Sequence, residues 1–216
     1  MSDLTLWGRR SAFNVQKVLW ALGELGLGFE LREVGGWFGG LDRPGFRALN
    51  PHGRIPVLAD GGLVVWESHS ILRYLAARYG AGFLWPEDPA TRSFADRWMD
   101  WSLATLQPDF MRLFWGYFRT PEQRRDPAAV RAALDACERH SCVLDAHLEA
   151  QPFLAGSDFS MADIPAGTTL HRYFGMGLDV PRPPRVLEWQ ARLAERRAYR
   201  EHVQASFEEL RGRLAH

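Results

Sequence analysis

Polar side chains stand where two predicted helices begin, and such positions can hold or activate a charged ligand. Ser11 and Asn14 open the first helical pattern, and Glu67-Ser68 opens another directly after a predicted strand. A hydroxyl or amide donor at a helix N-terminus lowers the pKa of a thiol from about 8.5. The free N–H groups of the second helix likewise suit an anion. The alternative for both serines is a plain N-cap, since serine is preferred there.

A second candidate region is rich in aromatic side chains. Phe110, Phe114 and Trp115 belong to a belt that is too wide for one face of a helix. A core helix accounts for part of this belt, and a substrate pocket or a subunit interface accounts for the excess. Trp37, in a glycine-rich loop, is a further candidate for the rim of a pocket.

Strand and helix patterns alternate over the first 80 residues. Four short strand patterns occur there, at residues 4–7, 29–34, 57–59 and 63–65. The last two flank a tight turn at Asp60-Gly61-Gly62, and apolar residues at helical spacing follow the first and the fourth strand. The order is strand, helix, strand, hairpin, helix. This order predicts an α/β domain with a small mixed sheet of the thioredoxin type.

The remainder of the chain is predicted to be all-helical. Residues 80–89 contain two glycines and two prolines and are predicted to form a linker. Helical patterns follow at residues 88–118, 126–150, 160–175 and 183–197, with one more near the C-terminus. Ser160 and Asp163 have the spacing of a capping box at the start of the third pattern. We therefore expect a thioredoxin-like domain at residues 1–80 and an all-helical domain at residues 88–216.

The composition argues against several classes of function. Lys plus Arg and Asp plus Glu both number 26, so the net charge gives no reason to expect a nucleic-acid or membrane partner. Cys137 and Cys142 fall on different faces of one predicted helix, which favours free thiols in a reducing compartment. No Cys and His spacing is typical of a metal site. Without a signal-peptide or transmembrane pattern, we expect a cytoplasmic protein.

Four segments together resemble the cytosolic glutathione transferase family, in particular its bacterial, theta/delta/nu-like members. They are SAFNVQKV at residues 11–18, NPHGRIPVL at 50–58, ESHSILRYL at 67–75 and the Ser160/Asp163 capping box. Their order, their spacing and the change from sheet to helices match the family over essentially the whole chain. The resemblance implies an enzyme that uses glutathione as co-substrate, needs no metal and offers the glutathione thiolate to a hydrophobic electrophile. It also implies a homodimer.

The resemblance assigns glutathione-binding roles to two segments. It implies a cis peptide bond at Ile55-Pro56, next to which the exposed backbone pairs with the cysteinyl part of glutathione. Ser68 would bind the γ-glutamyl carboxylate, and Glu67 would bind the ammonium group. His52 and Arg54 would pair with the glycyl carboxylate, or else remain solvated loop residues.

The family stabilises the thiolate with a tyrosine, serine or cysteine near the first helix. The first tyrosine of this chain is Tyr74 and its first cysteine is Cys137, so Ser11 is the matching residue, with Asn14 as helper. Some relatives carry the serine one position later, where this chain has Ala12. The electrophile pocket implied by the resemblance would be lined by Phe13, Trp37, Phe110, Phe114 and Trp115.

Two alternative functions stay open at this point. The chain could reduce peroxides or disulfides with glutathione, or it could be a non-catalytic relative that serves as a scaffold or interaction module. The presence of Glu67, Ser68 and Ile55-Pro56 argues against a scaffold, which needs no ligand groups. A dithiol oxidoreductase is disfavoured because no cysteine precedes Cys137.

Overall fold

The computed structural model describes residues 4–214 and begins with a four-stranded sheet. Its strands are β1 (Leu4–Trp7), β2 (Glu30–Arg32), β3 (Val57–Asp60) and β4 (Leu63–Trp66). The strand order is β2-β1-β3-β4, with β1 parallel to β2 and antiparallel to β3, and with β3 antiparallel to β4. The alternating pattern of β1 buries Leu4 and Leu6. This is the thioredoxin-like mixed sheet that the sequence predicts.

Three helices alternate with these strands. They are α1 (Phe13–Glu24), α2 (Pro44–Leu49) and α3 (Ser68–Tyr79). The sequence pattern misses α2, because a six-residue helix with the single buried side chain Phe46 shows no apolar periodicity. Strand β2 is also shorter than the predicted residues 29–34.

In the rest of the described chain the regular elements are helices and helical turns. The longer helices are α4 (Pro89–Trp101), α5 (Gln107–Leu113), α6 (Pro127–His147), α7 (Asp163–Gly175), α8 (Pro184–Ala194) and α9 (Arg197–His202). Residues 89–119 are helical throughout, since π-helical turns at Ser102–Leu106 and Phe114–Arg119 continue α4 and α5. The fold class is therefore the predicted thioredoxin-like part followed by a helical part.

Helix α1 holds the two parts together. It packs against α3 on the N-terminal side and against α7 and α9 of the helical part. Arg196 donates from Nε and Nη2 to the buried carboxylate of Glu24 at 2.9 and 2.6 Å, and Trp20 Nε1 donates to the same carboxylate. A Cβ added at Gly167 of α7 would lie 3.1 Å from the Trp20 ring, so the helices approach closely there. These contacts fix the C-terminal half of α1 relative to the helical part.

The contacts of the predicted capping box form directly before α7, which begins at Asp163 with Ala162, and not Ser160, at its N-cap, and both Ser160 and Asp163 are buried. Asp163 accepts hydrogen bonds from the backbone N–H of Ser160 at 2.9 Å and of Leu154 at 3.0 Å. It also accepts one from Trp189 Nε1 at 2.9 Å. Burial raises the pKa of this carboxyl above its usual range. Through these hydrogen bonds Asp163 connects the loop before α7 and helix α8 to the start of α7.

Candidate active site

Several loops leave the sheet at the same edge. Trp7 of β1 pairs with Arg32 of β2 and with Val57 of β3, and Val57 pairs with Trp66 of β4. The chain therefore leaves β1, β2 and β4 at this edge, and it enters β3 at the same edge. The segments at this edge carry Ser11, the Gly35-Gly36 turn, Glu67 and Ile55. The topology thus gathers the predicted site residues, which are far apart in the sequence.

A cleft of about 500 Å³ lies between these loops and the helical part. Its lining includes eight residues predicted for the site, which are Ser11, Phe13, Asn14, His52, Arg54, Ile55, Phe114 and Trp115. The helical wall adds Gln107, Met111 and Leu210. The cleft therefore has a polar side at the start of α1 and an apolar side at residues 111–115, which suits a small molecule with both characters.

Ser11 is not the N-cap of α1, which corrects the alternative drawn from the sequence. The helix begins at Phe13, and Ala12 stands at the N-cap without any side-chain cap. Ser11 Oγ instead accepts a hydrogen bond from Arg9 Nη1 at 2.8 Å, and its carbonyl accepts one from Arg172 Nη2 at 2.6 Å. A hydroxyl has one proton to donate besides its acceptor sites. That proton is available to a group in the cleft.

Asn14 adds a second polar group at the same helix start. Its side chain lines the cleft, and its Oδ1 is buried without a hydrogen-bond partner among residues 4–214. The N–H groups in the first turn of α1 have no partner within the helix and carry its positive dipole end. Together with the Ser11 hydroxyl they favour an anion at this end of the cleft.

The loop before β3 is held by Asn50. Asn50 Nδ2 donates to the carbonyl of Arg54 at 2.9 Å, and its Oδ1 accepts from the N–H of His52 at 3.0 Å. The His52 ring contacts the Trp66 ring edge-on, with centroids 5.3 Å apart. The peptide bond between Ile55 and Pro56 is cis, as the resemblance implied. His52 and Arg54 thus present two side chains at one rim of the cleft.

Ser68 is the first residue of α3 and not its N-cap, which corrects the capping expectation. Glu67 occupies the N-cap with a left-handed φ of 68°, a conformation that is uncommon for a residue with a side chain. Glu67 is exposed and Ser68 is buried, and neither lines the cleft described above. Because Trp66 pairs with Val57, Glu67 follows directly beside the Ile55-Pro56 bond. Glu67 and Ser68 therefore lie at the same edge of the sheet as the loops that line the cleft.

Two residues expected in the electrophile pocket lie elsewhere. Phe110 is completely buried, and its ring packs between Phe13 at 5.4 Å and Phe114 at 5.6 Å. It supports the pocket wall from behind and does not line the cleft. Trp37 is 59% exposed and lines a neighbouring cavity of about 360 Å³ that shares Arg9 with the cleft. Aromatic content alone cannot distinguish a lining ring from the ring behind it.

Sequence reasoning missed a buried lysine beside the cleft. Lys17 Nζ donates to Gln107 Oε1 at 2.6 Å, lies 3.3 Å from His69 Nε2 and stands 4.5 Å from the centre of the Phe13 ring. Burial, together with the charge of Arg172, lowers the pKa of Lys17 to about 7. The only sequence signal is a Gln-Lys pair inside the otherwise apolar face of α1.

The low pKa of Lys17 makes a testable contribution to the pH dependence of stability. Its pKa is about 7 in the folded chain against 10.5 in the reference state, so the unfolded chain binds more protons in that window. Stability should therefore rise with pH, by about 2 kcal/mol between pH 7 and 9 from this group. Urea unfolding of wild type and Lys17→Met at both pH values checks this. Equal pH dependence in the two proteins would contradict it.

Three arginines on the cleft wall were also missed. Arg9, Arg119 and Arg172 line the cleft, and Arg119 Nε donates to the carbonyl of Arg213. Arg9 stands beside Ser11 in the sequence, but Arg119 and Arg172 come from separate helical segments. Their position depends on tertiary packing, and no local pattern indicates it.

The described chain offers no sign of a metal centre or of a membrane span. No group of three or more His, Cys, Asp and Glu side chains within residues 4–214 could hold a metal ion. None of the helices in that range is both long and apolar enough to cross a bilayer. Cys137 is buried and Cys142 is exposed, both are free, and burial raises the pKa of Cys137 to about 12.

Comparisons with known proteins match both parts of the chain. Residues 13–78 match the glutathione S-transferase N-terminal domain family, and residues 124–192 match the corresponding C-terminal domain family. Glutathione S-transferase GstB of Escherichia coli strain K12 is 39% identical over 93% of this chain and 97% of its own length. Glutathione S-transferase 3 of Zea mays is 33% identical over 95% of each chain.

A solved structure gives the same result. The theta class glutathione S-transferase from the citrus canker pathogen Xanthomonas axonopodis pv. citri, with glutathione bound, superimposes with a TM-score of 0.91. It is 47% identical and covers 95% of this chain and 99% of that one. The chain belongs to the glutathione S-transferase family.

Proposed function

We propose that this enzyme conjugates glutathione to an electrophilic small molecule in the cleft at the start of α1. The observation that carries the proposal is the Ser11 hydroxyl. It lies on the cleft wall and accepts from Arg9, so its proton remains available to a sulfur. Residues 1–80 would bind glutathione, and residues 88–216 would supply the apolar wall for the second substrate.

Glutathione would lie along the sheet edge in an extended conformation. Its γ-glutamyl group would bind at the start of α3, with the carboxylate on Ser68 and the ammonium on Glu67. Its cysteinyl backbone would pair with the chain at Ile55, and its glycyl carboxylate would reach His52 and Arg54. This pose would direct the sulfur toward Ser11 at the start of α1.

The reaction is nucleophilic substitution or addition by sulfur. The glutathione thiol loses its proton to solvent, and the Ser11 hydroxyl and the start of α1 stabilise the thiolate. The sulfur then forms a bond to the electrophilic carbon, and in a substitution the leaving group departs with its bonding electron pair. Asn14 would assist as a second donor, through its amide group.

Conjugation is favoured over reduction through an enzyme disulfide. No cysteine is among the described residues that line the cleft, and the raised pKa of Cys137 opposes thiolate formation at that buried site. Peroxide reduction by glutathione alone needs the same thiolate and is the second candidate. A panel of aromatic halides, epoxides, hydroperoxides and mixed disulfides separates the two. No rate above the uncatalysed rate with any of them would contradict an enzymatic function.

Glutathione binding should depend on Glu67. Calorimetry should show one site per chain with a micromolar to millimolar Kd, or about −4 to −8 kcal/mol. Glu67→Ala should weaken binding tenfold or more, since a charged hydrogen bond contributes about 1.5–3 kcal/mol. Glu87→Ala, an acid of the loop before α4, serves as the control. Unchanged affinity in Glu67→Ala would remove this residue from the site.

We also propose a two-fold homodimer. Large apolar side chains are exposed on several elements, including Leu63 at 46%, Phe94 at 45% and Leu103 at 42%. A stable dimer should bury more than about 1,000 Å². Light scattering should report twice the chain mass of 24.6 kDa. A monomer at working concentration would contradict the proposal.

A cytoplasmic location also stays a prediction.

A further inference from the structure

The cleft has an unbalanced charge. Among the described residues that line it, four are arginines and none is an aspartate or glutamate. Arg54 is already proposed for the glycyl carboxylate of glutathione. Of the other three, Arg9 and Arg119 also line the neighbouring cavity that carries Trp37, which His52 and Arg54 do not line, and Arg172 comes from helix α7.

Two of these guanidinium groups are buried without a counter-ion. Arg9 is 7% exposed and Arg172 is 1% exposed, and neither forms an ion pair with a carboxylate in residues 4–214. The Nε atom of each is buried and has no hydrogen-bond partner in the described chain. A buried cation without a partner is costly, so such groups are normally satisfied by an anion.

A structural role explains only part of this arrangement. Arg172 donates to the Ser11 carbonyl and to Gln16 Oε1, and it lies over the rings of Phe13 and Phe114. These contacts account for its position in the core. Arg9 uses Nη1 for Ser11 and lies 5.4 Å from the centre of the Trp37 ring. Gly36 packs over its Nε, since a Cβ there would lie 2.8 Å away. Within residues 4–214, Arg9 forms no ion pair with a carboxylate.

The positive charges of Arg9, Arg119 and Arg172 also act on one another. Burial, followed by the charges of Arg9 and Arg119, lowers the pKa of Arg172 to about 9, and the charge of Glu209 opposes this shift without cancelling it. The charge of Glu209 raises the pKa of Arg9, but burial has the larger effect and the pKa is lowered. The wall therefore carries a positive potential toward the cleft, and an oxyanion placed there would relieve the repulsion.

We propose that this wall binds an acidic group on the electrophile, so that the preferred second substrate is an aromatic or other apolar molecule bearing a carboxylate or a similar oxyanion. The proposal rests on the conjugating function stated above. The acidic group would bind Arg9 and the neighbouring Arg119, and the apolar body would pack against Met111, Phe114 and Trp115. The two carboxylates of glutathione are proposed to bind elsewhere, one at Ser68 and the other at His52 and Arg54. They therefore do not compete with the second substrate for Arg9 and Arg119.

The test compares two electrophiles that differ only in charge. A chlorodinitrobenzoate and its uncharged carboxamide both react by bond formation from sulfur to the ring carbon and loss of chloride. For each, kcat/KM is divided by the uncatalysed second-order rate constant. The ratio of acid to amide should exceed about ten in wild type, and Arg9→Gln should reduce it about ten- to a hundredfold. An effect of Arg9 on the thiolate itself cancels in this ratio.

Three further measurements make the result decisive. Arg119→Gln should also lower the ratio, whereas Arg197→Gln, whose side chain is 90% exposed, should leave it unchanged. Dinitrobenzoate, which lacks a leaving group, should compete with the electrophile in wild type at least tenfold more strongly than dinitrobenzamide. This inhibition is measured on the wild-type enzyme, so the result does not depend on whether a variant folds.

The possible failures are distinguishable. Equal corrected rates for acid and amide in wild type, together with equal inhibition by the two analogues, would overturn the acidic-substrate proposal and leave conjugation intact. An equal loss with both electrophiles in Arg9→Gln would assign Arg9 to the thiolate and would also overturn it. If neither electrophile reacts faster than in free solution, the conjugating function itself fails.

Discussion

Replacing Asp163 with alanine is expected to lower the free energy of unfolding by about 3–6 kcal/mol. The substitution removes the acceptor of four buried donors, which are the N–H groups of Leu154 and Ser160, the Ser160 hydroxyl and the indole N–H of Trp189. Each unsatisfied donor costs about 1–3 kcal/mol, whereas loss of an ordinary exposed cap costs about 0.5–2 kcal/mol. The loss should therefore exceed that of a cap.

Asp126 provides the matched control. It is an exposed N-cap acid that accepts from Ala128 N and Ala129 N at the start of α6. Midpoints of urea unfolding should fall much further for Asp163→Ala than for Asp126→Ala. If Asp163→Ala does not fold, Asp163→Asn takes its place. This variant keeps one acceptor oxygen, so its loss of stability should lie between those expected for Asp126→Ala and Asp163→Ala. Equal losses in Asp163→Ala and Asp126→Ala would show that the buried contacts contribute nothing beyond a cap.

The second large effect is expected at Ser11 and concerns chemistry. If its hydroxyl donates to the glutathione sulfur, Ser11→Ala should raise the pKa of the bound thiol by about one unit or more, or about 1.4 kcal/mol. The rate at neutral pH should fall about ten- to a hundredfold, with glutathione affinity nearly kept. Steady-state kinetics and calorimetry on the same samples measure both quantities.

The structure makes this test sharper than the sequence could. A capping serine would also stabilise the helix, but Ser11 caps no helix, so Ser11→Ala should lower the melting temperature only through the loss of the hydrogen bond from Arg9 Nη1. Ser11→Thr keeps a hydroxyl and serves as the matched control. A full rate in Ser11→Ala would transfer the role to Asn14 or to the backbone N–H groups of α1.

Local patterns predicted most of the fold. The four strands and the contact between Ser160 and Asp163 depend on residues close in sequence, and each is present in the structure, although α7 begins three residues later than predicted. The cis bond at Ile55-Pro56 followed from the family resemblance. The missed α2 and the shorter β2 are elements of at most six residues, where periodicity carries little information.

The site was only partly predictable, for a physical reason. His52, Arg54 and Ile55 stand in one recognisable segment and line the cleft together. Arg172 contacts Ser11 across 161 positions, and Lys17 contacts Gln107 across 90, so those contacts exist only after α1 docks on the helical part. A short sequence motif can predict site residues that belong to one loop. It cannot predict charged side chains that separate helices bring together only in the folded chain.

The central claim is that this cleft holds glutathione as a thiolate. The most direct test is ultraviolet absorbance of the thiolate, followed against pH for the wild-type complex with glutathione and for free glutathione. We expect the pKa of the bound thiol to lie at least about one unit below the free value, since the Ser11 hydroxyl and the start of α1 favour the anion. A bound thiol that titrates at the same pH as free glutathione would contradict the account.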